Sequence, residues 1–194
     1  MNARSDQKDE WLHRPSKPLE IYPLESATSF ASRLARLKGA PSLTNWCADV
    51  GISRSDLMAG RSSALVRLAH LGNIDLDLLT HHAVMDKGRH GARLLGQDMR
   101  AGALSWGQVR ACPACLRDDL GANPQRPLQM FGRAPWQMTA YRICPTHRLR
   151  LVTLDKPRSW PRKRRPNSGT RFRSTWADRY RHLTLAGARG HYRH

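Results

Sequence analysis

No stretch of this chain approaches the roughly 18 consecutive apolar residues that a membrane-spanning helix needs, and the opening "MNARSDQKDEWLHRPSKP" has no apolar core of the kind a secretory signal carries. The expectation is a cytoplasmic protein with no membrane partner. Cysteine is scarce too, with four in 194 residues. In a reducing compartment so few thiols do not make a disulfide framework; clustered ones are more often metal ligands. Acidic residues are also few, 15 Asp and Glu against 33 Lys and Arg. Neither a Gly-rich phosphate-binding motif nor an acidic triad occurs, so the sequence offers no catalytic constellation and is read as a non-enzyme.

What is present begins with charge. The formal net charge is +18, which favours a polyanionic partner, nucleic acid above all. It is unevenly spread. Residues 155–194 hold twelve Lys and Arg against two aspartates, +10 of the total. Charge blocks, proline and glycine replace apolar periodicity there, and the segment reads as a disordered basic tail. Arg162, Lys163, Arg164 and Arg165 are its densest run and are candidate phosphate contacts.

Residues 1–22 read as a flexible leader, and 23–85 as a helical, helix-turn-helix-like domain. In "ESATSFASRLARLKG" the residues Ala27, Phe30, Ala31, Leu34 and Leu37 recur at helical spacing, with Arg33, Arg36 and Lys38 expected toward solvent. "SLTNWCADVG" and "SRSDLMAG" then predict two short helices across a glycine turn. Ser53 and Asp56 stand at capping-box spacing. If the second helix reads DNA, Ser53, Arg54 and Ser55 at its start are the candidate contacts; the bland alternative is an ordinary helical pair. Two further helices follow, one carrying Leu65, Leu68 and Leu71, the other Leu76, Leu79 and Val84 behind an Asp75 cap. Cys47 falls on an apolar face and is expected in the core. The adjacent His81 and His82 are read as ordinary helix residues. Residues 86–108, with five glycines and little periodicity, form a connecting segment or irregular strands, and "RLRLVTL" predicts a short strand pairing Leu149 and Leu151 in pattern.

Residues 109–154 carry the strongest signal. "CPAC" supplies Cys112 and Cys115, and "CPTH" supplies Cys144 and His147. Each pair is a bite that delivers two ligands from one turn, stiffened by Pro113 or Pro145 directly after the first ligand. Three thiolates and one imidazole suit one structural Zn²⁺ per chain, and four protein ligands leave no open position for catalysis. Two rivals use the same residues: Cys144 as a nucleophile with His147 as its base, or a redox Cys112–Cys115 pair. Asp118 and Asp119 read as solvated surface, and Trp136 as an aromatic packed on this lobe or, alternatively, a base-stacking platform. The fold class is mainly α with a small, irregular α+β zinc-binding lobe.

The order of these features resembles the TniQ family of transposition proteins. "LESATSFASRLARL" is similar to the family's opening helix, with Glu25, Ser26, Ser29, Arg33 and Leu34 in typical places; the C-P-x-C … W … C-P-x-H-x-x-x-L run is the specific part. The resemblance spans roughly 20–154. It implies a helix-turn-helix joined to zinc motifs, in some members dimeric. It also implies a non-catalytic target-selection adaptor that links DNA or a target-recognising complex to the AAA+ ATPase of a transposon. The alternative reading is a stand-alone zinc-containing DNA-binding regulator.

Overall fold

The computed structural model describes residues 19–100, 102–106, 108–121 and 129–154. The basic run Arg162, Lys163, Arg164 and Arg165 lies outside them.

Five helices form the first layer. Helix α1 (Ala27–Leu37) starts where the Ser26 hydroxyl accepts a hydrogen bond from the Ser29 N–H, and it buries Ala27, Phe30, Ala31 and Leu34, one face at i, i+3, i+4 and i+7 spacing. Helices α2 (Leu43–Asp49) and α3 (Arg54–Met58) are capped in the same way, by Ser42 onto Asn45 N–H and by Ser53 onto Asp56 N–H. Helix α4 (Ser62–Gly72) buries Leu65, Leu68 and Leu71 and ends at Asn73 in the left-handed region. Helix α5 (Leu76–His81) begins at Asp75, whose carboxylate accepts from Leu78 N–H at 2.8 Å. Helix α4 crosses α1 so closely that a Cβ on Gly72 would stand 2.7 Å from Phe30 Cε1, a contact only glycine permits. Phe30, Leu34, Trp46, Cys47, Leu57, Leu65, Leu68 and Leu79 share one core. Leu76 departs from expectation: it is 38% exposed while Leu79 alone anchors α5.

Arg33 is a clear correction. Expected toward solvent, it is only 5% exposed. Its Nη1 meets Glu25 Oε2 at 2.5 Å and its guanidinium lies 4.2 Å from the Tyr22 ring centroid. The apolar periodicity places Arg33 beside the core stripe, and the fully buried Glu25 draws it inward.

The segment 86–108, expected to be a connecting segment or irregular strands, carries, together with Met85 from the stretch expected to be helical, an antiparallel sheet: β1 (Met85–Asp86), β2 (Ala92–Leu94) and β3 (Gln97–Met99), in that order. The register sets Met85 opposite Arg93 and Arg93 opposite Asp98. Leu95 and Gly96 both have positive φ, 50° and 75°, the conformation of a tight two-residue hairpin turn.

The second lobe pairs β4 (Arg110–Ala111) with β5 (Val152–Thr153), antiparallel. Between them lies helix α6 (Pro113–Leu120), with Pro113 at its first position, where the missing N–H costs nothing. Leu151 is buried but Leu149 is 44% exposed, so the two do not share a face as the alternation suggested. The lobe's core is Ala111, Leu116, Met130, Trp136, Leu151 and Leu154 around the cysteines.

Main-chain hydrogen bonds tie the lobe to α1. Ser26 N–H donates to Gly132 O at 2.9 Å and Ala134 N–H to Leu24 O at 2.6 Å. Gly132 N–H donates to the Ser29 hydroxyl, which in turn donates to Glu25.

Candidate metal centre

Helix α6 presents its N-terminal turn to the turn at 144–147. Cys112 stands at the N-cap and Cys115 one turn on, while Leu116 N–H closes back on Cys112 O. Across from them Arg148 N–H donates to Cys144 O and Cys144 N–H to Leu149 O, with Arg148 in the left-handed region at φ 54°. This narrow loop points Cys144 Sγ and the His147 ring toward α6. The four side chains sequence spacing singles out thus converge, their ligand atoms all within 4.8 Å of one another.

The separations suit a tetrahedral ion. His147 Nδ1 lies 3.7 Å from Cys112 Sγ, 3.3 Å from Cys115 Sγ and 3.6 Å from Cys144 Sγ, and Cys115 Sγ lies 3.6 Å from Cys144 Sγ. Bonds of ~2.0–2.3 Å from a central Zn²⁺ would give edges of ~3.5–3.8 Å. The outer imidazole nitrogen, Nε2, sits 2.7 Å from Asp118 Oδ2. A carboxylate there holds the proton on Nε2 and leaves the Nδ1 lone pair for a metal, the usual arrangement behind a ligating histidine. Asp118, read from sequence as solvated surface, is therefore part of the centre although its side chain is 61% exposed. The residues fit a metal of this class. When bound, such an ion supplies cross-linking rather than reactivity, because the protein fills all four positions.

The thiols differ. Burial pushes Cys115 up to about 12, reinforced by its hydrogen bond to Cys144. Burial also raises Cys144, but hydrogen bonds from the His147 and Thr146 main chain, the His147 ring and Cys115 outweigh it and bring Cys144 down to about 6. A hydrogen bond to Cys144, with Asp118 behind it, raises His147. Cys144, His147 and Asp118 thus form a thiol–imidazole–carboxylate line, the geometry a nucleophilic cysteine would need. Two observations speak against that use: Cys144 is only 2% exposed, and the same Nδ1 faces two further sulfurs. The redox alternative fares no better, since Cys115 lies close to Cys144 and His147 together. Cys47 stands apart in the helical core, pushed up to about 11 by burial.

Asp119 is the second acidic residue that sequence reading misplaced. Its side chain is 8% exposed and takes two hydrogen bonds from Arg133, at 2.8 and 3.0 Å. Burial raises the Asp119 carboxyl and Arg133 only partly offsets this, whereas on Arg133 the carboxylate outweighs burial; the paired bonds identify an ion pair. Arg133 also lies over Phe131 and Trp136, 4.3 and 5.0 Å from their centroids. Trp136 itself is buried in the lobe core, which removes it as a stacking platform. His82, read as ordinary, is buried with Nδ1 2.6 Å from Glu25 O.

Ser53, Arg54 and Ser55 sit at the exposed start of α3, the Ser53 and Ser55 hydroxyls 2.8 Å apart. Among the described residues no helix is long and apolar enough to cross a membrane.

The described residues thus form a mainly helical protein with small sheets and a Cys₃His cluster that could hold a metal ion. The TniQ family model matches residues 18–151, most of the chain, and the chain belongs to the TniQ family. It is thereby a transposition-associated, non-catalytic protein. No curated protein matches the sequence.

Proposed function

We propose that this protein is a target-selection adaptor, linking target DNA or a target-recognising complex to the AAA+ ATPase of a transposon, with Zn²⁺ as the ion that braces its second lobe. The observation that carries the reading is the family match over 18–151 together with a four-ligand site that leaves no position for substrate. The helices add support. Helix α3 has five residues, about a turn and a half, and a reader of the major groove ordinarily lays a longer helix along it. So short an element suits docking better than base reading. DNA affinity in this reading comes from phosphate contacts, in which the basic run Arg162–Arg165 takes part, and sequence choice comes from elsewhere.

The test is a titration of full chain, Arg54→Ala and a deletion of 157–194 against two unrelated duplexes at several salt concentrations, with and without the ATPase. An adaptor binds both duplexes alike. If half of the tail's twelve cations engage, log K falls against log salt with a slope of about −5, and the deletion flattens it. A marked preference for one duplex that vanishes only in Arg54→Ala would replace the adaptor with a stand-alone regulator.

A further inference from the structure

Between the helical layer and the second lobe runs a groove of about 700 Å³, well inside the roughly 300–1,000 Å³ of ligand-binding clefts. One wall comes from α1, the start of α2 and α3; the other from residues 104–106, 108–110 and the stretch 132–137. Among the described residues its lining contains four arginines (Arg36, Arg54, Arg110 and Arg133) and no aspartate or glutamate. Leu43, Met58, Leu104 and Val109 supply apolar surface. Trp106, 43% exposed, stands in the same lining. Exposed tryptophan beside arginine is the composition of energetically dominant protein–protein contacts.

We infer that this groove binds an acidic peptide segment of a partner protein, one that sets a carboxylate on Arg54 and an aromatic or branched aliphatic side chain against Trp106. Charge complementarity chooses the occupant. A lining that, among the described residues, has arginines and no carboxylate is complementary to acidic rather than basic chemistry, so this chain's own sequence from 155 on, with twelve Lys and Arg, is a poor match in charge. The arginines also argue against a nucleic-acid strand. Arg133 is bound to Asp119 and Arg110 donates to the Met138 carbonyl, so the positive charge does not form a track for successive phosphates. Among the described residues Trp106 is the one half-exposed aromatic ring in the lining, since Trp136 is buried, whereas single strands are held on repeated stacking platforms. One or two carboxylates among apolar side chains match better, and Arg54, exposed at the groove's edge, can hold a carboxylate with two parallel hydrogen bonds. The inference deepens the adaptor reading, on which the partner's place in transposition rests; the groove's chemistry stands without it.

The experiment is a selection of random dodecapeptides displayed on phage against the metal-loaded full chain, followed by fluorescence anisotropy of the recovered peptides made synthetically. Recovered sequences should place Asp or Glu near an aromatic or branched aliphatic residue. Arg54→Glu and Trp106→Ala should each weaken binding at least tenfold, while Arg54→Lys keeps most of it. Recovery of no peptide, or of peptides indifferent to both substitutions, overturns the inference. So does displacement of the labelled peptide by an equimolar twelve-nucleotide oligothymidylate, which would assign the groove to nucleic acid. Peptide binding that persists while the ATPase is never recruited would end the adaptor reading and leave the groove intact.

Discussion

The two lobes of this protein solve the same stability problem with different means. The helical layer buries Phe30, Leu34, Trp46, Leu57, Leu65, Leu68 and Leu79 almost completely, each contributing about 2 kcal/mol from burial. Among its described residues the second lobe has two strands of two residues, one eight-residue helix, one 3-10 turn and a short apolar list in which three of the buried side chains are cysteines. A core that small does not outweigh the entropy of ordering its chain. The difference teaches where a bound metal would matter most: in the lobe with the smaller apolar core, where the four candidate ligands converge, and not in the helical layer.

The sharpest way to break that comparison is to remove a ligand. Cys115→Ser, or chelation of the native protein, should unfold residues 109–154, because the binding energy of a structural zinc is also folding energy. The helices of 27–81 should keep most of their circular dichroism. Metal analysis should fall from about one equivalent to none, and limited proteolysis should open the second lobe first. A metal-free protein whose second lobe resists protease would refute the comparison.

Next in size is an ion pair inside the self-sufficient layer. Glu25 is fully buried, and its carboxyl is pushed up by burial despite Arg33, the Tyr22 N–H and the Ser29 hydroxyl. Arg33→Met removes the countercharge that pairs with it and leaves a carboxylate stranded in the interior, at a cost of about 3–5 kcal/mol. Adding Glu25→Gln should return part of that loss. Urea denaturation of the single and double variants measures it; additive losses would mean the pair does not act as a unit.

The contrast between these residues shows what a sequence can disclose. The four candidate metal ligands were legible because each pair lies within four residues and repeats the same Cys-Pro beginning. The helices were legible because Phe30, Ala31 and Leu34, or Leu65 and Leu68, recur at helical spacing. Arg33 was not, since its burial depends on a carboxylate eight positions away that is itself drawn inside. Asp118 and Asp119 were not, because their partners, His147 and Arg133, are distant in the chain. Strands were expected within 86–108 only as an irregular alternative to a connector, because strands of two or three residues are too short to show alternation and the turn is Leu-Gly rather than the usual Asn-Gly.

A smaller effect is expected where the two lobes are coupled. Asp119 on α6 clamps Arg133, and the neighbours Gly132 and Ala134 hydrogen-bond to α1 and its lead-in. Asp119→Asn keeps the shape but removes the charge from a partly buried pair, which should cost about 1–3 kcal/mol. The clamp joins α6 to the segment bonded to α1, so the two lobes should melt in separate steps, and the loss should widen their separation rather than lower the metal content. Equal downward shifts of both steps would mean that Asp119 serves the whole fold and not the junction.

The smallest effect tests the metal centre itself without touching a ligand. Asp118 Oδ2 is 2.7 Å from His147 Nε2 and belongs to the helix that carries Cys115, three residues earlier. One turn of α6 therefore delivers both a ligand and the group that orients another ligand from the opposite unit. Asp118→Asn can still accept from Nε2 through its amide oxygen, so the imidazole keeps its tautomer but loses the negative charge that makes Nδ1 a stronger donor. Asp118→Ala removes both. Outer partners of ligating histidines typically contribute 10–100-fold in metal affinity, and an exposed carboxylate, well screened by water, belongs near the lower bound. Competition with a chromogenic zinc chelator should show about a tenfold weakening in Asp118→Ala and less in Asp118→Asn, with helical content unchanged in both. If neither substitution alters zinc affinity, the Asp118–His147 contact is only a surface hydrogen bond, and the second lobe relies on its four ligands alone.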